Sequence, residues 1–380
     1  MKATKPPLRV VIAGGGPAAL ELLLALRELA AELVDIELIA PTTDFVYRPM
    51  RVTEPFDGGE PPRFSLPSIV RDCGGVHRLG ALTAVDVDRH RATLDDGGEL
   101  GYDVLAVAIG AAESIALPGA LTFEGDASRR AFGRLLDELE EGRLRRVVFA
   151  VPAGVVWSMP LYELALMTAA HCRDRGVEDV ELTLVTPEDE PLALFGLRAS
   201  AKVLSLLRES GIAVKAGAYP TSVQEGQLLL TGGMNLAADR VVTLPRLVGR
   251  KVHGLPQDSA GFIPTDGYGR VRRAKDVYAA GDATTFAVKQ GGLATQQAFA
   301  AAESIAAAAG AAVVPHPFRP VLRGLLLTGG LPNYLRAELR GGTGDDSLAD
   351  VEPLWWPPGK IAGGRLSHYL AAQETSARLA

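Results

Sequence analysis

Cysteine is scarce in this 380-residue sequence, which contains only Cys73 and Cys172. The two lie far apart, and neither belongs to a CxxC or CxxxxC pair. This spacing excludes a disulfide framework, a cysteine-based zinc site and a vicinal redox dithiol. It also predicts a reducing compartment, the cytoplasm.

A surplus of positive charge and long apolar runs are missing as well. Lys and Arg number 39 against 45 Asp and Glu, a net charge of −6, which argues against nucleic-acid binding. No stretch of 18 residues is free of polar groups, so we expect no integral membrane segment, although peripheral membrane contact stays open. The six histidines show no HxxxH spacing, so we expect no metal site. Both a monomer and a homodimer are compatible with the sequence.

The N-terminal region carries a glycine-rich turn. Residues 8–13 read as a buried strand, 20–33 as a helix and 35–40 as a second strand. Between the first two, Gly14, Gly16 and Ala19 match G-x-G-x-x-[GA], which predicts a dinucleotide site at a helix N-terminus. The acidic residue expected after the second strand is replaced by Ala40 and Pro41. Asp44 could substitute for it, or other groups could hold the ribose.

Later segments extend the same pattern. Residues 102–110 form an apolar strand ending in glycine, and 277–284 form another that ends in Gly281-Asp282. Between them lie a strand at 146–151, a helix at about 160–175, a strand at 180–185 and a helix at about 196–210. The sequence therefore predicts an α/β fold of two Rossmann-like dinucleotide-binding domains, the second inserted into the first. We expect the first domain at 1–115 and 242–317, the second at 116–241, and a small C-terminal cap at 318–380 with a strand at 318–329 and a helix near 361–372.

Four segments together resemble a known superfamily. Residues 10–19, 45–49, 102–110 and 261–284, with the continuation 286–297, are similar to the two-dinucleotide-binding-domain FAD-dependent oxidoreductases. The resemblance is strongest to the branch of sulfide:quinone oxidoreductase, flavocytochrome c sulfide dehydrogenase and type II NADH dehydrogenase. It implies that the first domain binds FAD and that the C-terminal cap covers the flavin.

The resemblance also implies individual roles. Gly14, Gly16 and Pro17 would meet the pyrophosphate, Leu82 would offer its backbone to the adenine, and Asp282 would hold ribityl or phosphate oxygens. The full predicted FAD-binding set is Gly14, Gly16, Pro17, Ala18, Arg48, Leu82, Ala108, Gly110, Gly281, Asp282, Lys289, Gln290, Gly291 and Ala294.

Two residues are candidates for catalysis. Lys289 precedes the glycines that begin the helix whose N-terminus would face the flavin, where the helix dipole stabilises an anionic reduced ring. Lys289 would add charge there, or else lie on the surface. Trp356 and its neighbour Trp355 would wall the substrate site, or else pack the cap against the first domain.

The second domain has a degenerate nucleotide turn. Residues 151–160 contain one glycine, Gly154, and Trp157 fills the space of a pyrophosphate. Pro152 also removes a backbone N–H that a phosphate would use. NAD(P)H is therefore an open alternative as a second cofactor, with Glu188 as the residue that could reach its ribose.

These features predict an FAD-dependent oxidoreductase. It would pass two electrons from a small donor through the flavin to a quinone or another small acceptor, without redox cysteines, because no cysteine follows Cys172. One alternative is an NAD(P)H dehydrogenase with an atypical nicotinamide site. The other is a flavin-binding sensor without turnover.

Overall fold

The structure is a computed structural model that describes residues 6–339 and 346–379. Within these ranges the chain contains two five-stranded sheets whose strands all run parallel, together with five smaller antiparallel sheets. The predicted α/β class with two Rossmann-like sheets is confirmed. Among the described residues, no helix is long and apolar enough to cross a membrane.

The N-terminal part supplies four strands of the first sheet. Its strands read as apolar runs because helices cover both faces of a parallel sheet, and β1 is buried from Val10 to Ala13. The elements are β1 (Leu8–Ala13), α1 (Pro17–Ala30), β2 (Val34–Ala40), β3 (Asp44–Val46), β4 (Arg63–Ser65), α2 (Leu66–Asp72), β5 (Val76–Leu79), β6 (Leu82–Asp86), β7 (Arg91–Leu94), β8 (Glu99–Gly101), β9 (Val104–Val107) and β10 (Ala111–Ser114).

The next part forms the second sheet, in the order β11-β18-β12-β13-β14. The four elements predicted here, at 146–151, 160–175, 180–185 and 196–210, lie within one or two residues of observed strands and helices. The elements are β11 (Leu121–Thr122), α3 (Gly125–Glu140), β12 (Arg146–Ala150), α4 (Met159–Asp174), β13 (Glu181–Val185), α5 (Leu197–Glu209), β14 (Ile212–Lys215), β15 (Pro220–Gln224), β16 (Gln227–Leu230), β17 (Asn235–Ala237) and β18 (Arg240–Thr243).

The chain then returns to the first sheet. It continues through β19 (Arg246–Gly249), β20 (Val277–Ala279) and α6 (Gly291–Ala309). Strand β19 pairs antiparallel with β10, and β20 completes the order β20-β9-β1-β2-β5. Helix α6 packs against α1. The second sheet is thus inserted between two parts of the first.

The C-terminal part contacts both sheet layers. It consists of β21 (Val321–Leu326), β22 (Asn333–Glu338), β23 (Leu348–Asp350) and α7 (Gly364–Leu379). Leu322, Leu326 and Leu335 share a core with the helices of the second sheet. Leu366 and Leu370 of α7 belong instead to the core around α1 and α6. The C-terminal segment therefore bridges the two layers.

Two predicted elements in this part have wrong limits. The predicted strand 318–329 is shorter in the structure, because Gly329 already turns with φ +78°. Gly329 also lies close to Ala170. A Cβ on Gly329 would be 2.4 Å from the Cβ of Ala170. The predicted helix 361–372 begins only at Gly364, because Gly363 and Gly364 both have positive φ angles.

Candidate functional site

The turn between β1 and α1 has the geometry of a phosphate cradle. Gly14 has φ +127°, and a Cβ there would stand 2.2 Å from the carbonyl oxygen of Ala108. No atom lies within 4 Å of a Cβ position on Gly16. No side chain caps the N-terminus of α1, so its first N–H groups stay available. Open space beside unpaired N–H groups at a helix N-terminus suits a pyrophosphate.

Three distant parts of the chain meet beside this turn. Gly281 follows β20 with φ +75°, and a Cβ on it would lie 3.1 Å from the Cβ of Ala18 and 3.2 Å from that of Ala294. The Gly281 N–H donates to Oε1 of Gln297 at 2.8 Å. The structure thus brings the predicted residues of α1, α6 and the segment after β20 into one place.

The N-terminus of α6 lies against the C-terminal segment. A Cβ on Gly291 would stand 3.1 Å from Cγ1 of Ile361 and 3.7 Å from Cγ of Pro17. Gln290 caps the helix, since its Oε1 accepts from Leu293 N–H at 2.8 Å. Its Nε2 donates to the Arg323 carbonyl at 3.1 Å. The side chain of Gln290 therefore links the N-terminus of α6 to the C-terminal segment.

Tyr47 is bound to the C-terminal segment, a contact that the sequence does not indicate. Its hydroxyl accepts from the Ile361 N–H at 2.8 Å. Burial raises the pKa of Tyr47 to about 12, so it stays protonated. Only its position in the aromatic 45–49 segment could have drawn attention to it.

Asp282 has the features of a ligand for cofactor hydroxyls. Burial raises the pKa of its carboxyl, and Lys289 and Arg48 oppose this effect. None of the hydrogen bonds among residues 6–339 and 346–379 involves its carboxylate. A desolvated acceptor without a partner favours a bound donor at this point.

Lys289 is held mainly by protein groups. Its ammonium donates to the Thr284 carbonyl and lies 3.9 Å from the centre of the Phe262 ring. Burial lowers the pKa of Lys289 to about 8, although Asp282 and Asp258 raise it. Its predicted catalytic role stays a prediction.

The remaining predicted residues fall in different surroundings. Ala108 packs on Gly14, while Gly110 has φ +68° and open space at its Cβ position. Leu82 begins β6 in a separate three-stranded sheet with β7 and β8. Trp356 is 76% exposed. Trp355 instead packs its ring 5.0 Å from that of Tyr334. The predicted catalytic role of Trp356 also stays a prediction.

The second sheet offers a partial nucleotide site. After β13, Oε2 of Glu188 accepts from the hydroxyls of Ser158 at 3.3 Å, Tyr162 at 2.9 Å and Thr186 at 3.0 Å. These three protein hydroxyls all donate to the same carboxylate oxygen of Glu188. In the turn after β12, Arg246 Nη2 donates to the Ala153 carbonyl at 3.4 Å.

A buried ion pair lies between α4 and the C-terminal segment. Lys360 Nζ is 2.6 and 2.7 Å from the two carboxylate oxygens of Glu163, and the Leu327 N–H donates to Oε1 at 3.0 Å. Burial raises the pKa of Glu163, and Lys360 opposes this. The pair was not foreseen, and a lone glutamate on a mostly apolar helix was its only sign in the sequence.

The surroundings of the two thiols favour a structural role for both. Cys73 and Cys172 are free and buried. Burial raises the pKa of both thiols, which disfavours the reactive thiolate. Within the described parts of the chain, no cluster of three or more His, Cys, Asp or Glu residues could hold a metal ion.

Two parallel sheets, a phosphate cradle at the end of β1 and a carboxylate at the end of β20 define a dinucleotide-binding flavoprotein. Residues 8–303 match the family model of the pyridine nucleotide-disulphide oxidoreductases. The chain belongs to this family and is an FAD-dependent oxidoreductase.

Known relatives agree with this family. An NADH dehydrogenase-like protein of Mycobacterium tuberculosis is 27% identical over 292 residues, which cover 72% of each chain. The sulfide:quinone oxidoreductase structure from Aquifex aeolicus has a TM-score of 0.80 at 17% identity and covers 98% of this chain and 90% of its own. A ferredoxin reductase from Rhodopseudomonas palustris has a TM-score of 0.65 at 19% identity, with 86% and 81% covered. The two structures share the fold.

Proposed function

We propose that the protein passes two electrons from a small donor to a quinone or another small acceptor, with FAD as the redox group and no thiol in the path. Bound FAD would supply the two-electron chemistry. The donor loses two electrons, and a quinone gains these and two protons to become a quinol. The proposal rests on one contrast. The segments that contain Gly281, Ala18 and Ala294 converge at one place, whereas the two thiols are buried and protonated.

The chain's own groups would bind and orient the cofactor. The Gly14–Gly16 turn and the N-terminus of α1 would hold the pyrophosphate, and Asp282 would accept from cofactor hydroxyls. The capped N-terminus of α6 would direct the positive end of its dipole at the flavin. The segment from Gly359 to Ile361, fixed by Tyr47, would exclude water from one side.

An NAD(P)H dehydrogenase is the second candidate. The name of the mycobacterial relative and the position of Glu188 after β13 favour it. Pro152 and the protein hydroxyls that already occupy Oε2 of Glu188 count against it. The two candidates differ in the donor and share the flavin site.

One anaerobic experiment tests both candidates. The FAD-loaded protein and its Cys73→Ala/Cys172→Ala variant are titrated with NADH, NADPH and dithionite, and a soluble quinone is then added. We expect the two proteins to behave alike, because neither thiol takes part. Loss of quinone reduction in a folded double variant would overturn the thiol-free path.

The flavin absorbance in the same titration also identifies the class of electron donor. Bleaching of the flavin at stoichiometric NADH or NADPH selects the NAD(P)H dehydrogenase. Bleaching by dithionite alone, followed by reoxidation by quinone, selects another small donor. Reduction without reoxidation by any acceptor would support a sensor and contradict the proposed enzyme.

A further inference from the structure

An open cleft of about 390 Å³ lies at the edge of the first sheet where its parallel strands begin. The Gly14 turn and Asp282 lie at the opposite edge, where the strands end. The cleft is lined by residues next to the start of β1, the start of β7 and the link from β8 to β9, so it is separate from the flavin site.

Two guanidinium groups meet over one glycine in this cleft. In the β7–β8 pairing, Arg91 stands opposite Gly101. A Cβ on Gly101 would be 3.4 and 3.8 Å from the two Nη atoms of Arg9 and 3.8 Å from Nη1 of Arg91. Two cations that approach one point repel each other unless an anion lies between them.

The protein provides only part of the neutralising charge. Oδ2 of Asp103 accepts from the backbone N–H of Arg9 at 2.8 Å and from its Nε at 3.4 Å. The backbone bond is the main reason that the pKa of Asp103 is lowered. The Nη groups of Arg9 and the whole guanidinium of Arg91 have no partner among the described residues. Asp88 also lines the cleft.

The wall of the cleft is partly aromatic. Tyr102 is 1% exposed, and the ring of His90 stacks on it at 5.2 Å with an interplanar angle of 9°. The Tyr102 hydroxyl is buried without a hydrogen-bond partner.

We propose that this cleft binds a phosphate group, either free or at the end of a small phosphate monoester. The forked N–H donors of arginine match the oxygens of phosphate, and the Nη groups of Arg9 and the guanidinium of Arg91 would donate to them. The cleft is larger than a phosphate ion, which leaves room for an organic substituent. The site goes beyond the redox function and does not depend on it.

Calorimetric titration of the FAD-loaded protein tests the site. The probes are inorganic phosphate and glycerol 3-phosphate, in chloride buffers of matched ionic strength. We expect one site per chain, with Arg91→Ala weakening the association constant about tenfold or more, since charge-assisted hydrogen bonds are lost. Gly101→Ala should also weaken binding, because it places a methyl group between the guanidinium groups without a change of charge.

Arg272→Ala is the matched control. Arg272 is exposed, and its substitution removes one positive charge outside the cleft. Its association constant should equal that of the wild type. Tighter binding of glycerol 3-phosphate identifies a monoester as the ligand class, and tighter binding of phosphate identifies the free anion. Absence of saturable binding for both probes, or unchanged binding in Arg91→Ala and Gly101→Ala, would overturn the proposal.

Discussion

At the scale of single residues, Asp282 is the most direct test of the flavin site. Asp282→Ala removes a partly buried acceptor that has no hydrogen-bond partner within the described structure. We expect most of the bound FAD to be lost, because the cofactor hydroxyls would lose the carboxylate that accepts from them. The flavin absorbance per polypeptide of the purified protein measures this, and Asp282→Asn separates the loss of charge from the loss of shape. Full FAD content in both variants would remove Asp282 from the site.

The Lys360–Glu163 pair leads to a prediction about stability and pH. Lys360→Met leaves Glu163 buried without a cation and should lower the free energy of unfolding by about 3–5 kcal/mol. Burial already raises the folded pKa of Glu163, so in the variant the unfolded state ionises first. Stability should therefore fall as pH rises above the unfolded pKa of glutamate. Urea unfolding at pH values between about 5 and 8 measures the slope.

The double variant is the control for this pair. Lys360→Met/Glu163→Gln removes both charges and should recover a large part of the loss, with little dependence on pH. A single variant as stable as the wild type at neutral pH would show that the pair contributes nothing to the docking of the C-terminal segment.

At the scale of elements, α7 is fixed by a residue of α1. The buried carboxylate of Glu21 accepts from the N–H groups of Arg365 and Leu366 at 2.9 and 2.8 Å. Because it serves as the cap of α7, Glu21→Ala should destabilise this helix by about 1–2 kcal/mol. Hydrogen exchange should then be faster in α7 than elsewhere. Glu28→Ala, which removes two partly exposed hydrogen bonds from the Arg365 guanidinium, should change the exchange less. Equal exchange in all three proteins would contradict the cap.

The same element shows how far the sequence predicts the structure. The strands and helices around the glycine turn, and the four elements predicted at 146–151, 160–175, 180–185 and 196–210, follow from local patterns and were predicted closely. The start of α7 was misplaced because Gly363 and Gly364 have positive φ angles and because the acceptor at its first turn, Glu21, lies in the first helix of the chain. The contacts of Tyr47 with Ile361 and of Glu163 with Lys360 also join residues far apart in sequence. No local pattern could indicate them.

At the scale of the whole molecule, the C-terminal segment joins what the sequence suggested as separate domains. Its strands complete the core around α4, and its helix completes the core around α1 and α6. The domain limits predicted from the sequence stay a prediction, and the C-terminal segment contributes to the cores of both layers. This arrangement restricts hinge motion between the two sheets, since movement would separate Leu322 or Leu366 from its neighbours.

Because one sheet is inserted into the other, the parts of the first sheet leave the ribosome at different times. The Gly14 turn emerges early, but Gly281 and Ala294 emerge only after the whole second sheet. At ordinary translation speeds the delay is on the order of ten seconds to a minute. During that time β1, β2, β5 and β9 lack both β20 and α6, so nascent chains would expose apolar surface and could not retain FAD. If Gly281 and Ala294 hold FAD as proposed, we expect cofactor capture to be a late event, and a shortage of FAD should affect newly made chains more than finished ones.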